Sequence, residues 1–361
     1  MKTNNTFRIF SSVLLMVLLA GCEPEKKKTE QVLPDHTKGI SQMYVLCQGT
    51  WGMNNSTLYN WNVKEQKVAL CLFTEKNRRG LGDTGNDLEL YGSKLYVVMN
   101  VSNTVEVVDV HTGISIKQIP MVDEDGTGRQ PRYACAGNGK VYVCSFDGSV
   151  LRIDTASLEI DGIAMAGRSP DGICRSNGNL YVSNSGGMDY PNYDRTVSVI
   201  DEAAFSTVAT IEVGLNPGRI GADAKGNVYV CTRGDYGQTG GNFYRINPQT
   251  NQIDKTFDIP VQNFCIVDNL AYCYYSENNG NSRLGVLDLE RADWRDEEFI
   301  SDGTQVRTPY SIAEYAGDIY VGDAMDYVSS GKVYCFAKDG KCLYKLENVG
   351  VLPASMAMLA D

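Results

Sequence analysis

The chain has 361 residues, 43% hydrophobic and 21% charged, with 36 Gly, 21 Tyr and only 2 His. That composition excludes wholesale disorder and a coiled coil, leaving two domains or one large barrel- or propeller-like domain. The net charge of −11 excludes the basic footprint of a nucleic-acid binder.

Only one segment is apolar enough to span a membrane, and it lies at the extreme N-terminus. Lys2 and Arg8 form a positive stretch around the start of a short apolar run, Ile9 to Ala20, as in an export signal. The run ends in Leu19-Ala20-Gly21-Cys22, which resembles the lipobox of bacterial lipoproteins. The resemblance implies cleavage before Cys22, a diacylglyceryl group on its thiol and acylation of the new N-terminus. Several acyl chains at one site anchor stably, where a single chain is marginal. An ordinary secretory signal with an incidental Cys is the alternative. Residues 22–38, with the run Lys26-Lys27-Lys28, read as the lipidated Cys and a flexible tether. Loss of residues 1–21 removes two cations and no acid, which takes the charge from −11 to −13.

From residue 39 onward the chain repeats. Seven segments share an apolar–Tyr–Val core: Met43-Tyr44-Val45, Leu95-Tyr96-Val97, Val141-Tyr142-Val143, Leu180-Tyr181-Val182, Val228-Tyr229-Val230, Leu270-Ala271-Tyr272 and Ile319-Tyr320-Val321. The sixth departs from the pattern, with Ala271 at the Tyr position. Anchored at 44, 96, 142, 181, 229, 271 and 320, the steps are 52, 46, 39, 48, 42 and 49, averaging 46. That is the period of four-stranded propeller blades. A β-run ending in a tight Gly or Asn turn precedes most anchors, as in Ala136-Gly137-Asn138-Gly139-Lys140. An alternating strand follows and mostly ends in Asp or Asn, as at Asp109, Asp154, Asp201, Asn247 and Asp288, and then a fourth run. These are strands A to D of a blade, counted outward from the axis, and no helical period is visible.

The chain ends indicate a closed ring. The first repeat has strands B, C and D near 43–48, 57–63 and 68–73, but no strand A precedes it. The other strands A often open on Pro, then two residues and then a hydrophobic–small pair, as at Pro131, Pro170, Pro217 and Pro309, and the phrase returns at Pro353-Ala354-Ser355-Met356-Ala357. The C-terminal strand therefore supplies strand A of the first blade, which hides the exposed strand edges. The expected fold is an all-β, seven-bladed β-propeller of four-stranded blades over residues 39–361. Repeats such as Leu180-Tyr181-Val182-Ser183-Asn184 resemble the YVTN-type propeller repeat, a family that hosts binding and enzymatic roles alike.

Ten cysteines remain besides Cys22, mostly inside strands, with no CxxC and no zinc spacing, so they read as small buried hydrophobes. Cys335 and Cys342 would face each other if Lys338-Asp339 formed a two-residue turn, although directly paired cross-strand disulfides are strained.

Function is expected on one face. The A–B and C–D turns fall on one side of the ring, the B–C and D–A loops on the other. The A–B turns are tight, whereas the B–C loops are long and aromatic: Gln48 to Ser56 with Trp51, Ser183 to Arg195 with Tyr190 and Tyr193, Thr232 to Asn242 with Tyr236, Tyr275 to Arg283, and Gly322 to Lys332 with Tyr327. The D–A loops add Arg78, Arg79, Arg129, Arg168 and Arg307. Arg132, Asp171, Arg219 and Tyr310, just after the strand-A prolines, are expected to ring the axial opening, with Arg233 beside them. Unequal elaboration of one face is how a rigid scaffold carries binding loops.

His36 lies in the tether and His111 in a C–D turn on the opposite side, so neither a histidine acid–base pair nor a His-ligated metal is expected on the loop face. No catalytic residue, resident metal or cofactor is expected. Two readings stay open. In the first, an aromatic, arginine-studded face captures a large amphipathic ligand carrying amides or phosphate. The lipobox, the charged tether and the YVTN-type ring together resemble the surface cobalamin-binding lipoproteins of gut Bacteroidota. That resemblance implies a ligand, cobalamin or a related corrinoid, a partner outer-membrane TonB-dependent transporter, and an outer-membrane lipid anchor at the cell surface. In the second, a cation-dependent lactonase- or lyase-like propeller enzyme of the envelope would use oxygen ligands from Asn86, Asp87, Asp171, Asn263 and Asp323. The turn Asp123-Glu124-Asp125-Gly126 reads as a solvated acidic loop.

Overall fold

A computed structural model describes residues 37–276 and 282–361. The export signal, Cys22, nearly all of the tether, and residues 277–281 of the loop between Tyr275 and Arg283 lie outside the described residues. Seven four-stranded antiparallel sheets form the blades of a ring. In blade 1 the C-terminal strand Pro353–Ala360 pairs with Ile40–Cys47, Tyr44 opposite Ala357, so the last strand of the chain closes the ring as expected. The strands A of blades 2 to 7 are Gly85–Tyr91, Pro131–Gly137, Pro170–Ser176, Pro217–Ala222, Val261–Val267 and Pro309–Tyr315. No helix among the described residues is long and apolar enough to cross a membrane.

The recurring tyrosine has a structural reason. Tyr44, Tyr96, Tyr142, Tyr181, Tyr229, Tyr272 and Tyr320 are all essentially fully buried on strand B. Four of them reach with the hydroxyl into the C–D turn of the next blade: Tyr44 to the Val110 carbonyl, Tyr142 to Glu202, Tyr181 to Asn251 and Tyr272 to the Lys338 carbonyl. Each of these four rings thus fills the apolar layer between two blades while its polar end satisfies a partner across the seam. Every core cluster mixes side chains of neighbouring blades, as where Tyr181 and Val197 meet Ile220 and Val230.

Register corrects the reading of the sixth repeat. Tyr272 stands opposite Cys265 as Tyr181 stands opposite Cys174 and Tyr142 opposite Cys135. Tyr272 is therefore the anchor, Ala271 takes the place of the preceding aliphatic, and the pattern is intact but shifted by one residue. Blade 1 also differs from expectation at its outer edge. Its strand D is only Lys67–Ala69, and a six-residue helix, Leu72–Asn77, replaces the rest. Leu72 and Phe73 turn into the core between blades 1 and 2, and the Asn77 amide donates to the Phe73 and Gly113 carbonyls, both at 2.9 Å. That local burial outweighs continuation of a three-residue edge strand.

Cys335 stands opposite Tyr344 and Phe336 opposite Cys342, so the two cysteines are out of register. None of the ten cysteines among the described residues forms a disulfide. Burial pushes most of their thiols upward, Cys144 and Cys174 to about 12, as suits inert packing groups.

Candidate functional site

The strands A converge on an axial cavity of about 800 Å3 that opens on the side of the B–C and D–A loops. That size lies within the range of small-molecule sites. Its wall takes residues from all seven blades, among them Asp87, Glu89, Arg132, Arg219, Asn263, Tyr310 and Ser355, with Arg233, Tyr236 and Tyr327 reaching in from the loops.

The charged groups at the mouth are organised around Asp171. This buried carboxylate accepts Arg132 Nε at 2.7 Å and Arg233 Nη1 at 2.7 Å, one on each oxygen. Burial alone would raise its carboxyl, but Arg132 and then Arg233 outweigh burial and hold it below the usual range. Arg132 also donates to the Asn86 side chain and lies over the Phe146 ring, 4.6 Å from its centroid. Arg233 reaches Asp171 across Gly218, where a Cβ would overlap the guanidinium. Asp171 is therefore hidden behind its two arginines, while Arg132, Arg219 and Tyr310 line the opening as expected. Tyr310 is fixed by its hydroxyl, which donates to Gln48 Oε1 at 2.5 Å, and by its carbonyl, which accepts the Tyr274 hydroxyl at 2.7 Å.

Asp87 is buried on strand A of blade 2 and accepts the Ala134 N–H at 3.0 Å and the Ser355 hydroxyl at 2.9 Å. Burial raises its carboxyl. Two residues on, Glu89 is pushed up to about 8, first by burial and then by the charge of Asp87.

The aromatic residues divide into two groups. Tyr236 and Tyr327 line the cavity mouth, and Tyr327 meets Tyr310 edge-on at 6.4 Å. From Tyr236 a chain of edge-on contacts runs outward to Tyr193 at 6.1 Å and on to Tyr190 at 5.9 Å. Trp51, Tyr190 and Tyr236 are 75%, 74% and 72% exposed. Trp51 stands apart on the blade 1 loop, whose backbone is tied down by Asp83 accepting the N–H groups of Gly52 and Asn54. Sequence reasoning missed Met53, Met188 and Val328, which are also exposed on these loops. It also missed Tyr133, Tyr274 and Glu89 in the cavity wall. Tyr133 and Arg219 share the second position after a strand-A proline, a signal that the first-position residues overshadowed.

Of the oxygen groups considered for a cation, Asp171 is engaged by arginines, and Asp323 accepts the N–H groups of Arg307, Thr308 and Met325. Among the described residues no three His, Cys, Asp or Glu side chains converge in a way that could hold a metal ion. The Asp123 carboxylate caps its own turn through the N–H groups of Asp125 and Thr127.

Solved structures with the same architecture include three of different origin. Hydrazine synthase of Kuenenia stuttgartiensis matches with a TM-score of 0.63 at 14% identity, over 77% of this chain and 95% of that one. A quinonprotein alcohol dehydrogenase-like protein of Bacteroides thetaiotaomicron matches at 0.61 and 16% identity, over 90% and 79%. A protein of unknown function from Bacteroides caccae matches at 0.52 and 11% identity, over 89% and 100%. Likeness at such identities concerns the fold alone. Among curated proteins no sequence matches the chain. Residues 41–278 match the family described as "Domain of unknown function (DUF5074)". Two thirds of the chain being covered, from the first blade into the sixth, this propeller belongs to the DUF5074 family.

Proposed function

We propose that this protein is a lipid-anchored binding protein of the outer membrane. It is displayed at the cell surface through Cys22, captures cobalamin or a related corrinoid on its loop-rich face and passes it to a TonB-dependent transporter. The observation that carries this reading is the mouth itself: an 800 Å3 cavity opening among exposed aromatics, at the one end of the ring where the loops are long. A corrinoid macrocycle is broad, apolar on its faces and fringed with amides. It lies across the rim formed by Tyr236, Tyr193, Tyr190 and Tyr327, and one polar arm enters the cavity. The aromatic rings supply desolvated area at little entropic cost, and fixed arginines orient the polar fringe.

Calorimetric titration with cobalamin tests the reading on wild type and on Trp51→Ala, Tyr190→Ala and Tyr236→Ala, each checked by thermal melting. At least one truncation weakens binding by roughly thirtyfold, about 2 kcal/mol, with Tyr236→Ala the largest because Tyr236 touches both rim and cavity. A folded wild type that binds no corrinoid would falsify the ligand. Loss of binding on changing His111 or Asp154, on the opposite face, would move the site. Separately, Cys22→Ser releases the protein from membrane fractions or leaves its signal uncleaved, and a correctly processed mutant still held in the membrane would refute the anchor.

A further inference from the structure

Ten of the fifteen arginines from residue 39 onward are paired with carboxylates, and of the others Arg78, Arg291, Arg295 and Arg307 lie outside the cavity wall. Arg132 and Arg233 share Asp171, Arg175 forks onto Glu202, and Arg245 forks onto Asp254. Arg219 is different. It lines the axial cavity, half-buried, with its guanidinium 5.2 Å from the centroid of the Tyr133 ring. Among the described residues it has neither a hydrogen-bond partner nor an ion-pair partner. Asp87 is near enough to act on its charge, yet that carboxylate is bonded to Ala134 and Ser355 instead. A guanidinium offers five N–H donors in a planar fork, and leaving them unmet in a partly buried wall is costly. The fork matches the two oxygens of a carboxylate or phosphate.

The charge balance agrees. The wall carries three guanidinium groups, Arg132, Arg219 and Arg233, against Asp87 and Asp171. Glu89 does not complete the balance at neutral pH, because its carboxyl, raised to about 8, is still largely protonated there. The charged and titratable groups acting on Glu89 are Asp87 on its own strand, Arg219 of blade 5 and Arg175 of blade 4, with the Cys135 thiol of blade 3 beside it. At least one positive charge is left without a counter-charge.

We propose that the axial cavity is an oxyanion site in which Arg219 grips a carboxylate or phosphate group of the ligand. This rests on the mouth being the binding face, and it adds a chemical requirement: the arm that enters the cavity carries a negative charge. Ionisation of Glu89 above pH 8 places a competing negative charge in the same cavity and weakens the site.

The test is calorimetry on the full chain in detergent at pH 6.5, titrated separately with methyl phosphate and with acetate. Saturable binding of at least one is expected, and the stronger of the two identifies the class of group. Arg219→Met keeps an apolar stem over Tyr133 and loses about tenfold or more in affinity, whereas Arg245→Met, on an outer strand, changes nothing. At pH 9 wild type loses affinity while Glu89→Gln retains it. That comparison decides the matter if Arg219→Met does not melt as a folded protein. Failure of folded wild type to bind either anion, equal affinity in Arg219→Met, or a pH 9 loss shared by Glu89→Gln overturns the proposal. Anion binding through Arg219 without any corrinoid binding leaves this inference standing and removes cobalamin. Corrinoid binding that ignores Arg219→Met does the reverse.

Discussion

The two ends of the ring are built from the same seven repeats, yet their polar residues work over different distances. At the tight-turn end the constraints are local and repeated. The last residue of strand C caps its own C–D turn in blade after blade: Asp109 accepts the N–H groups of His111 and Thr112, Asp154 those of Ala156 and Ser157, Asn247 that of Gln249, and Asp288 those of Glu290 and Arg291. Tyrosine hydroxyls from the preceding blade add a second repeated contact there. At the loop end the backbone hydrogen bonds repeat, as from the Asn100 N–H to Thr84 and the Phe146 N–H to Gln130, but the side-chain contacts of the mouth differ from blade to blade. Asp171 of blade 4 lies between arginines from blades 3 and 5, and the Tyr310 hydroxyl of blade 7 meets Gln48 of blade 1. The comparison teaches that this ring is held together by its regular end and differentiated at its irregular one.

Three perturbations probe that division, in order of expected effect. Deleting residues 352–361 removes the inner strand of blade 1 and exposes the Ile40–Cys47 edge beside the axis. Cooperative unfolding should be lost, or the protein should aggregate, as read by calorimetric melting and light scattering. A truncated ring that melts like the full one would mean that the ends do not hold both faces in place. Asp171→Ala leaves Arg132 and Arg233 facing each other without their carboxylate, and a destabilisation of about 3 kcal/mol is expected in denaturant unfolding. The variant should also lose ligand affinity, since the mouth arginines are no longer positioned. A loss of affinity without loss of stability would show the clamp to be purely functional. Tyr181→Phe removes only the 2.9 Å hydrogen bond to Asn251 at the regular end. It should cost about 1 kcal/mol and leave binding unchanged, and a changed affinity would show the two ends to be coupled.

Much of the architecture was legible because its signals are short-range. The strand B tyrosines, the Asp or Asn that ends strand C and the proline that opens strand A each act within a few residues or against an identical neighbour. Repetition multiplies such signals until the blade count and the closing strand can be read directly. The sixth repeat escaped because Leu270-Ala271-Tyr272 offers two registers, and only pairing of Tyr272 with Cys265 chooses between them. The outer edge of blade 1 escaped because a three-residue strand and a six-residue helix differ little in local preference. Burial of Leu72 and Phe73 against blade 2 decides for the helix.

The sequence by itself determined a seven-bladed ring closed by its last strand, its elaborated face, and the residue types gathered at the mouth. Only the tertiary structure decided what those residues do to one another. It withdraws Asp171 from the ligand by giving it two arginines, pushes the Glu89 carboxyl up to about 8 through burial and the nearby Asp87, and leaves Arg219 the one unmatched guanidinium among the three in the cavity wall. The physical reason is separation along the chain. Arg132 and Arg233 are 101 residues apart in sequence and meet on one carboxylate only after the blades between them have folded around the axis.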